Sequence, residues 1–334
     1  MKAKPLRFAF SGFRHPHINT LYDLVENHPD CEIVGCAEED PATSAELKKV
    51  GEIILTDPNL EALLANRGAD VLAVGDTYGR RGQSAIAGLN AGLHVIADKP
   101  LCTELSALDE IRSIAQKKSL AVGLMLDLRE ASPMLTLRSI LQSGQIGQVR
   151  TLSFQGQHPL RYDTRASWYF EEDNHGGTIN DIGIHAFDLA EWLTGESYQA
   201  TLHARSWNAK AKKHAHFLDS AQMLGTLSDG TGVLADFSYL APDGIGYALS
   251  QYWRIIAHGD RGFAETSFNS RNVQVVTDGD TEPQIVPLVE ARPGDHLKDF
   301  LAEINGHQRA EGLTTEKVLR LSEHALNAQK ISQE

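Results

Sequence analysis

The chain has 334 residues, 42% of them apolar and 22% charged, with a net charge of −13 and three cysteines. That length and composition predict about two globular domains, each large enough for its own core. The negative charge argues against a nucleic acid or an anionic membrane surface as partner, and no stretch reaches the length of a membrane span. Cys31, Cys36 and Cys102 are too few and too irregularly spaced for a disulfide framework or a zinc site, so a reducing cytoplasm is the simplest setting.

The N-terminal MKAKPLRFAFSGF carries positive charges, but its apolar run is too short for a signal peptide and reads as a first strand, LRFAFS (6–11). A βα rhythm follows over roughly the first 125 residues. The helical INTLYDLVEN leads to the strand CEIVGCA (31–37), and a helical stretch around TSAELKKV comes next. DPNLEALLANRG reads as a helix with Asp57 as cap and Pro58 at its first position. VLAVG (71–75) and LHVIA (93–97) are buried-type strands on either side of the helix RRGQSAIAGLNAG. LSALDEIRSIAQKK is a helix and LAVGLML (120–126) a strand. Strands separated by helices of this length imply a parallel, doubly wound sheet.

The pattern then changes. REASPMLTLRSILQSG reads as a helix ending at Gly144, and QVRTLSFQGQ as a longer strand. A helix over Asp181 to Leu193 precedes a hairpin turning at Ser228-Asp229-Gly230. QYWRIIAHG, GFAETSF and NVQVVTDG read as a meander, and two helices close the chain. The reading is an α/β protein: a Rossmann domain over 1–124 and, over 125–334, an α+β domain with an open, mostly antiparallel sheet. The last helix is free to pack back on the first domain.

Four stretches carry possible chemistry. The turn after the first strand is Ser11-Gly12-Phe13-Arg14-His15-Pro16-His17. Of the GxGxxG fingerprint only Gly12 is present, with Arg14 and His17 at the other two glycine positions. An Arg there must turn its side chain away or place its guanidinium on a phosphate. An anion-binding turn and an ordinary strand–helix turn both fit. Glu38, 26 residues after Gly12, stands where an acid binds a ribose 2′-hydroxyl and repels a 2′-phosphate, or belongs to a solvated cluster with Glu39 and Asp40. The strand LHVIA runs into Asp98-Lys99-Pro100, where a lysine faces the crevice at the strand's C-terminal end, or is simply solvated.

In GGTINDIGIHAFD (176–188), an α-helical spacing puts Asp181 and His185 one turn apart with Asp188 on the same stripe. Ile182, Ala186, Leu189 and Leu193 form an adjacent apolar stripe. An acid beside an imidazole can move protons, bind a metal, or cap and fill a core. No good further metal ligand accompanies these three residues, so no metal is expected.

Together these residues resemble the glucose–fructose oxidoreductase/inositol dehydrogenase (Gfo/Idh/MocA) family over nearly the whole chain. AGLHVIADKPLCTELSAL is similar to the family's Glu-Lys-Pro segment, with Asp98 in place of Glu. GGTINDIGIHAFDLAEWL is similar to its Gly-Gly segment followed by D-x-x-x-H. The resemblance implies Lys99, Asp181 and His185 as catalytic residues, and NAD, favoured over NADP, held by Gly12, Phe13, Arg14, His15, Glu38, Thr77, Tyr78, Asp98 and Lys99. It implies a sugar or polyol substrate, touched by Lys99, His158, Arg165, Trp168, Asp181 and His185, with Arg161 a further candidate.

Two departures stand out: the degraded glycine turn, and Asp76-Thr77-Tyr78-Gly79-Arg80-Arg81, where the family has Thr-Pro-Asn and a closing His. Arg129, Arg161 and Arg165 could add a preference for an anionic substrate. The resemblance implies a homodimer or homotetramer; LADFSYLAP, apolar on both faces, fits that or a helix covering one side. Two other roles fit the resemblance: glycosidase or epimerase-type chemistry with no net redox, and a non-catalytic NAD- or sugar-sensing protein.

Overall fold

The computed structural model describes residues 4–66, 68–307, 309 and 311–334. Residues 1–3 of the basic N-terminal stretch, and Arg67 in the third predicted helical stretch, lie outside them. Five strands, β1 (Leu6–Ser11), β2 (Cys31–Ala37), β3 (Val71–Val74), β4 (His94–Ala97) and β5 (Val122–Leu124), form an all-parallel sheet in the order β2-β1-β3-β4-β5. Their interior residues are almost wholly apolar, as strands covered on both faces must be. The helices that cover them are α1 (His17–Glu26), α2 (Pro41–Val50), α3 (Leu60–Asn66), α4 (Tyr78–Asn90) and α5 (Leu105–Lys118). α1 shows how: Ile18, Leu21, Tyr22 and Val25 recur at helical spacing and are all buried.

The strand order reverses at the β1/β3 neighbour pair, and such a switch point opens a crevice at the strands' C-terminal ends. Asp57 is not the cap of α3. It extends the β2 edge through a bridge to Ala37, and its carboxylate accepts from Thr56 and Asn66, while Asn59 Oδ1 accepts the Ala62 N–H at 2.9 Å.

The chain divides into two units, Met1–Met125 with His296–Ser322, and Leu126–Asp295 with Glu323–Glu334. In the first, α8 (Asp295–Ile304) sends Leu297, Phe300 and Leu301 into the core that also holds Phe8, Phe10 and Ile96. Thr315, which opens α9 (Thr315–Ile331), accepts the N–H of Val122 on edge strand β5 at 2.8 Å. The β5 edge is thereby covered rather than left as a template for pairing.

The second unit holds α6 (Ser132–Gln142), α7 (Ile184–Thr194) and an eight-stranded sheet. Its strands are β6 (Val149–Pro159), β7 (Tyr198–Trp207), β8 (Ser220–Leu227), β9 (Gly232–Ala241), β10 (Arg254–Gly259), β11 (Gly262–Thr266), β12 (Asn272–Thr277) and β13 (Gln284–Pro287). The order is β13-β12-β11-β10-β6-β9-β8-β7, antiparallel throughout except for the β6/β9 pair. The expected hairpin at 228–230 and the meander are present. β13 was not anticipated, because QIVP is too short to show a period. No helix among the described residues is long and apolar enough to cross a membrane.

Asp188 leaves the Asp181/His185 stripe for a structural partner. Its carboxylate, fully buried, takes Nε of Arg129 at 3.0 Å and Nη2 of the same guanidinium. This tethers α7 to the short 3₁₀ turn before α6 and removes Arg129 from the anion-binding candidates. Removing one partner of a buried pair strands the other charge. Arg129→Ala is therefore expected to destabilise the protein by about 3–5 kcal/mol, read as a lower urea-unfolding midpoint; a loss within experimental error would contradict the tether.

Candidate active site

The turn after β1 is built on a close approach. Gly12 has φ +79°, and a Cβ there would lie 2.6 Å from the Asp76 backbone nitrogen. Gly75 meets it from the end of β3, where an added Cβ would lie 2.5 Å from the Gly12 carbonyl oxygen. The Arg14 N–H donates to Gly75 O at 3.1 Å, which stitches the turn to that strand end. Arg14 takes the first of its two options: its guanidinium turns aside to Asp40, 3.6 Å away. α1 then starts with no side chain capping its first N–H groups, and such an uncapped N-terminus suits an anion.

Glu38, buried at the end of β2, faces this turn. One of its oxygens accepts the Phe13 N–H at 2.6 Å and the other the Asp40 N–H at 2.7 Å. Burial pushes its pKa up, and those two backbone donors oppose the shift. Each carboxylate oxygen has a second lone pair for a further donor. Glu39 and Arg80 close the rim with an ion pair of 2.7 Å. A turn that excludes a Cβ, an uncapped helix start and a carboxylate at the end of the second strand fit a dinucleotide.

The centre of the first unit is Arg81, which is fully buried. Its Nε donates to Asp76 O at 2.9 Å, and Nη2 to Asp98 Oδ2 at 2.7 Å. Nη1 donates to the carbonyls of Asp98 (3.0 Å), Lys99 and Pro100 (3.3 Å). The guanidinium lies over the Tyr78 ring, 4.5 Å from its centroid, and Lys99 Nζ lies 6.0 Å from the same ring. Tyr78 and Thr77 are buried. The Lys99–Pro100 peptide is cis.

Asp98 also receives His15 Nδ1 at 2.6 Å, and His17 Nδ1 lies 3.4 Å from its other oxygen. Burial alone would push the Asp98 carboxyl up, but Arg81 above all, with both imidazoles, holds it well below its usual value. Burial pushes His15 down to about 3 against the pull of Asp98. A neutral His15 must then donate from Nδ1 to the ionised carboxylate. His15, His17 and Asp98 bring three potential ligand atoms within 4.8 Å of one another, but the Arg81 charge on Asp98 opposes a second cation there.

In the second unit, Ile179–Gly183 forms a π-helical turn ahead of α7, not the continuous α-helix that the spacing implied. Gly177 (φ +93°) precedes it against the Gln329 side chain, and Gly183 packs on Phe237. A wider turn, closing on the fifth residue, changes how Asp181 and His185 stand to one another. The His185 ring packs edge-on to Trp253 at 5.6 Å, and Asp181 is drawn to β9, where it accepts the Tyr239 hydroxyl. Both residues are almost completely buried.

His175 completes a chain of donors. Its Nδ1 accepts the Gly177 N–H at 3.2 Å, so Nε2 carries the proton and donates to Tyr239 Oη at 2.9 Å. Burial, with the Asp181 charge beside it, holds the Tyr239 hydroxyl well above its usual pKa.

The other substrate candidates have structural partners. Arg165 donates from Nε to Leu160 O and from Nη2 to Pro159 O, and lies 4.5 Å from the Tyr169 ring centroid. Trp168 is buried beside Tyr169. Arg161 lies over Tyr247, and His158 sits among Tyr239, Tyr247, Tyr252 and Trp253. The sequence reading missed Arg81 and Tyr239 as parts of a site. The period-2 burial of Val233, Ala235, Phe237 and Tyr239 was the available signal for Tyr239, because a hydroxyl on a buried strand face needs a partner.

Residues 7–125 match the model of an oxidoreductase family with an NAD-binding Rossmann fold, and residues 134–265 match that of the GFO/IDH/MocA C-terminal domain. An uncharacterised oxidoreductase of Schizosaccharomyces pombe is 30% identical over 174 residues, 51% of this chain and 46% of its own length. The scyllo-inositol 2-dehydrogenase (NADP(+)) of Bacillus subtilis is 23% identical over 217 residues, 64% of this chain and 54% of its own. The chain thus spans about half the length of these two relatives. Among solved structures, an oxidoreductase of Agrobacterium radiobacter in complex with NAD+, L-tartaric acid and magnesium has the same fold. Its TM-score is 0.78 at 18% identity, with 99% of this chain and 97% of that one covered.

The state of His15 has a consequence for stability. An unfolded His takes up a proton below pH about 6.5, while folded His15 resists protonation down to about 3. Between those values the unfolded state binds more protons, so stability falls as pH falls. Between pH 6.5 and 5 the loss from this group is expected to reach about 2 kcal/mol. Urea unfolding at several pH values checks it: the slope should flatten in His15→Asn, and equal slopes would show that His15 is charged in the fold.

Proposed function

The chain belongs to the Gfo/Idh/MocA oxidoreductase family, and from that premise we propose that it is an NAD-dependent dehydrogenase. In this reading it moves a hydride between the nicotinamide and a secondary alcohol of a sugar, inositol or related polyol. The observation that carries the reading is the burial of Lys99, Asp181 and His185, whose exposures are 4%, 2% and 3%. Ionisable groups are expensive to bury, and these three are buried at the positions that match the family's Lys-Pro and D-x-x-x-H motifs.

The first unit binds the dinucleotide, with the Gly12 turn and the α1 N-terminus at the pyrophosphate and Glu38 at the adenosine ribose. The nicotinamide, when bound, accepts or returns the hydride. His185 takes the hydroxyl proton as alcohol becomes carbonyl, and gives it back in reverse. The Lys99 ammonium stabilises the negative charge that builds on the substrate oxygen. Asp181, held toward β9 by the Tyr239 hydroxyl that it accepts, takes a hydrogen bond from a neighbouring substrate hydroxyl. Three free thiols suit the cytoplasm. Leu224 and Leu234, opposite one another on β8 and β9 and 40% and 55% exposed, support a homo-oligomer through that sheet face.

Two measurements test the reading. His185→Ala is expected to lower turnover by about 10²–10⁴-fold while NADH affinity stays unchanged; unaltered turnover would remove His185 from the reaction. In a fluorescence titration NADH should bind and NADPH should not, and Glu38→Gln should weaken NADH by about tenfold while admitting NADPH. Because burial raises the Glu38 pKa, discrimination against NADPH should fade as the pH falls through that raised value. A preference for NADPH in the unaltered protein would sink the ribose assignment.

A further inference from the structure

We propose that Arg81 is the positioning residue for Lys99: through Nε, Nη1 and Nη2 it ties the start of α4 to the end of β4 and fixes the backbone from which the lysine projects. The inference rests on the reading of Lys99 as the group that meets the substrate oxygen.

The carbonyl oxygens of Asp98, Lys99 and Pro100 all point at one nitrogen of Arg81. The second terminal nitrogen takes the Asp98 carboxylate, and Nε takes the Asp76 carbonyl at the other loop. Three consecutive carbonyls turned to one donor define the path of the chain through Lys99. Tyr78 reinforces the same frame, because its ring carries the guanidinium on one side and meets His15 edge-on at 5.5 Å. Arg81 is fully buried, so no water can replace a lost donor without rearrangement. A lysine cannot reproduce this, since its ammonium is a point charge where the guanidinium is a planar fork. Arg81 acts on the reaction through Lys99 and is not assigned a contact with the substrate.

The test uses the full-length protein with Arg81→Lys, which keeps the charge and removes the fork. The second variant is Arg81→His, which keeps one donor should the first fail to fold. Turnover is expressed per NADH-binding site, so that only folded protein is counted. The expected result is a fall in kcat of about 100-fold, the effect of a displacement near 1 Å in a reacting group, with KM and the NADH Kd moving by less than about threefold. A purely structural role would lower Tm and leave kcat per site intact, and that result would overturn the proposal.

An independent readout needs no substrate. In protein labelled with ¹³C,¹⁵N-lysine, the Lys99 Cε–Nζ resonance, assigned with Lys99→Arg, should shift in both variants while the other lysines stay in place. An unmoved resonance in a folded variant overturns the positioning role. A moved resonance in a protein that turns over no polyol supports it and removes the polyol reading instead.

Discussion

A guanidinium without access to water has to find an acceptor for each N–H it carries, and around Arg81 this requirement organises the sheet's polar edge. The strands that lead there, VLAV and HVIA, are apolar to their last residue. Polar atoms crowd where they end: the carbonyls of Asp76, Asp98, Lys99 and Pro100, and the Asp98 carboxylate. Arg81 gathers them into one cluster. Such an ion pair does not by itself add much stability, because desolvation offsets most of the Coulombic attraction. What it adds is a common anchor, since the loops after β3 and β4 both supply acceptors to this one guanidinium. His15 joins by giving Asp98 its proton-bearing nitrogen, and so brings the turn after β1 into the same network.

The second unit uses a different device for the same end. Tyr239, reaching from β9, hands its proton toward Asp181, and His175 hands its own toward Tyr239. Each donor in the chain has its direction set by the one before it, starting from the Gly177 N–H. The π-helical turn makes this possible. An α-helical turn would have kept Asp181 on the His185 stripe; the wider one turns it to the sheet. Two glycines with positive φ ahead of the turn, and Gly183 against Phe237, supply the room.

Much of this was legible in the residues. Alternating apolar runs and helical periods gave the parallel sheet and its helices, because burial on both faces leaves a plain signature in sequence. Asp181 and His185 drew notice as an acid and an imidazole in an apolar run, but they and Lys99 were picked out as catalytic candidates by the family resemblance, because local pattern leaves solvated or structural roles equally open. The cap of α3 was misread because Asp57 and Asn59 carry equal local signals, and only the bridge from Asp57 to Ala37 decides between them. Arg81 stood out only as part of the loop that departs from the family's Thr-Pro-Asn and closing His; its role depends on carbonyls about eighteen residues downstream, whose direction no local pattern encodes. Tyr239 stands 58 residues from the carboxylate it serves. Arg165 and Trp168 were assigned to a pocket from a motif; the carbonyl and ring contacts they make are matters of tertiary arrangement that the motif does not encode.

Glu38 draws two things together that are usually separate. Its carboxylate fastens the Phe13 and Asp40 amides, so it is part of the turn's scaffold before any ligand arrives. The same charge, in the proposed reading, is what tells one dinucleotide from another. Selectivity and loop order are therefore vested in a single side chain. A lineage moving from one cofactor to the other could not simply exchange this residue. It would first have to acquire another acceptor for two backbone amides, and until then every step toward the new cofactor would loosen the turn meant to hold it.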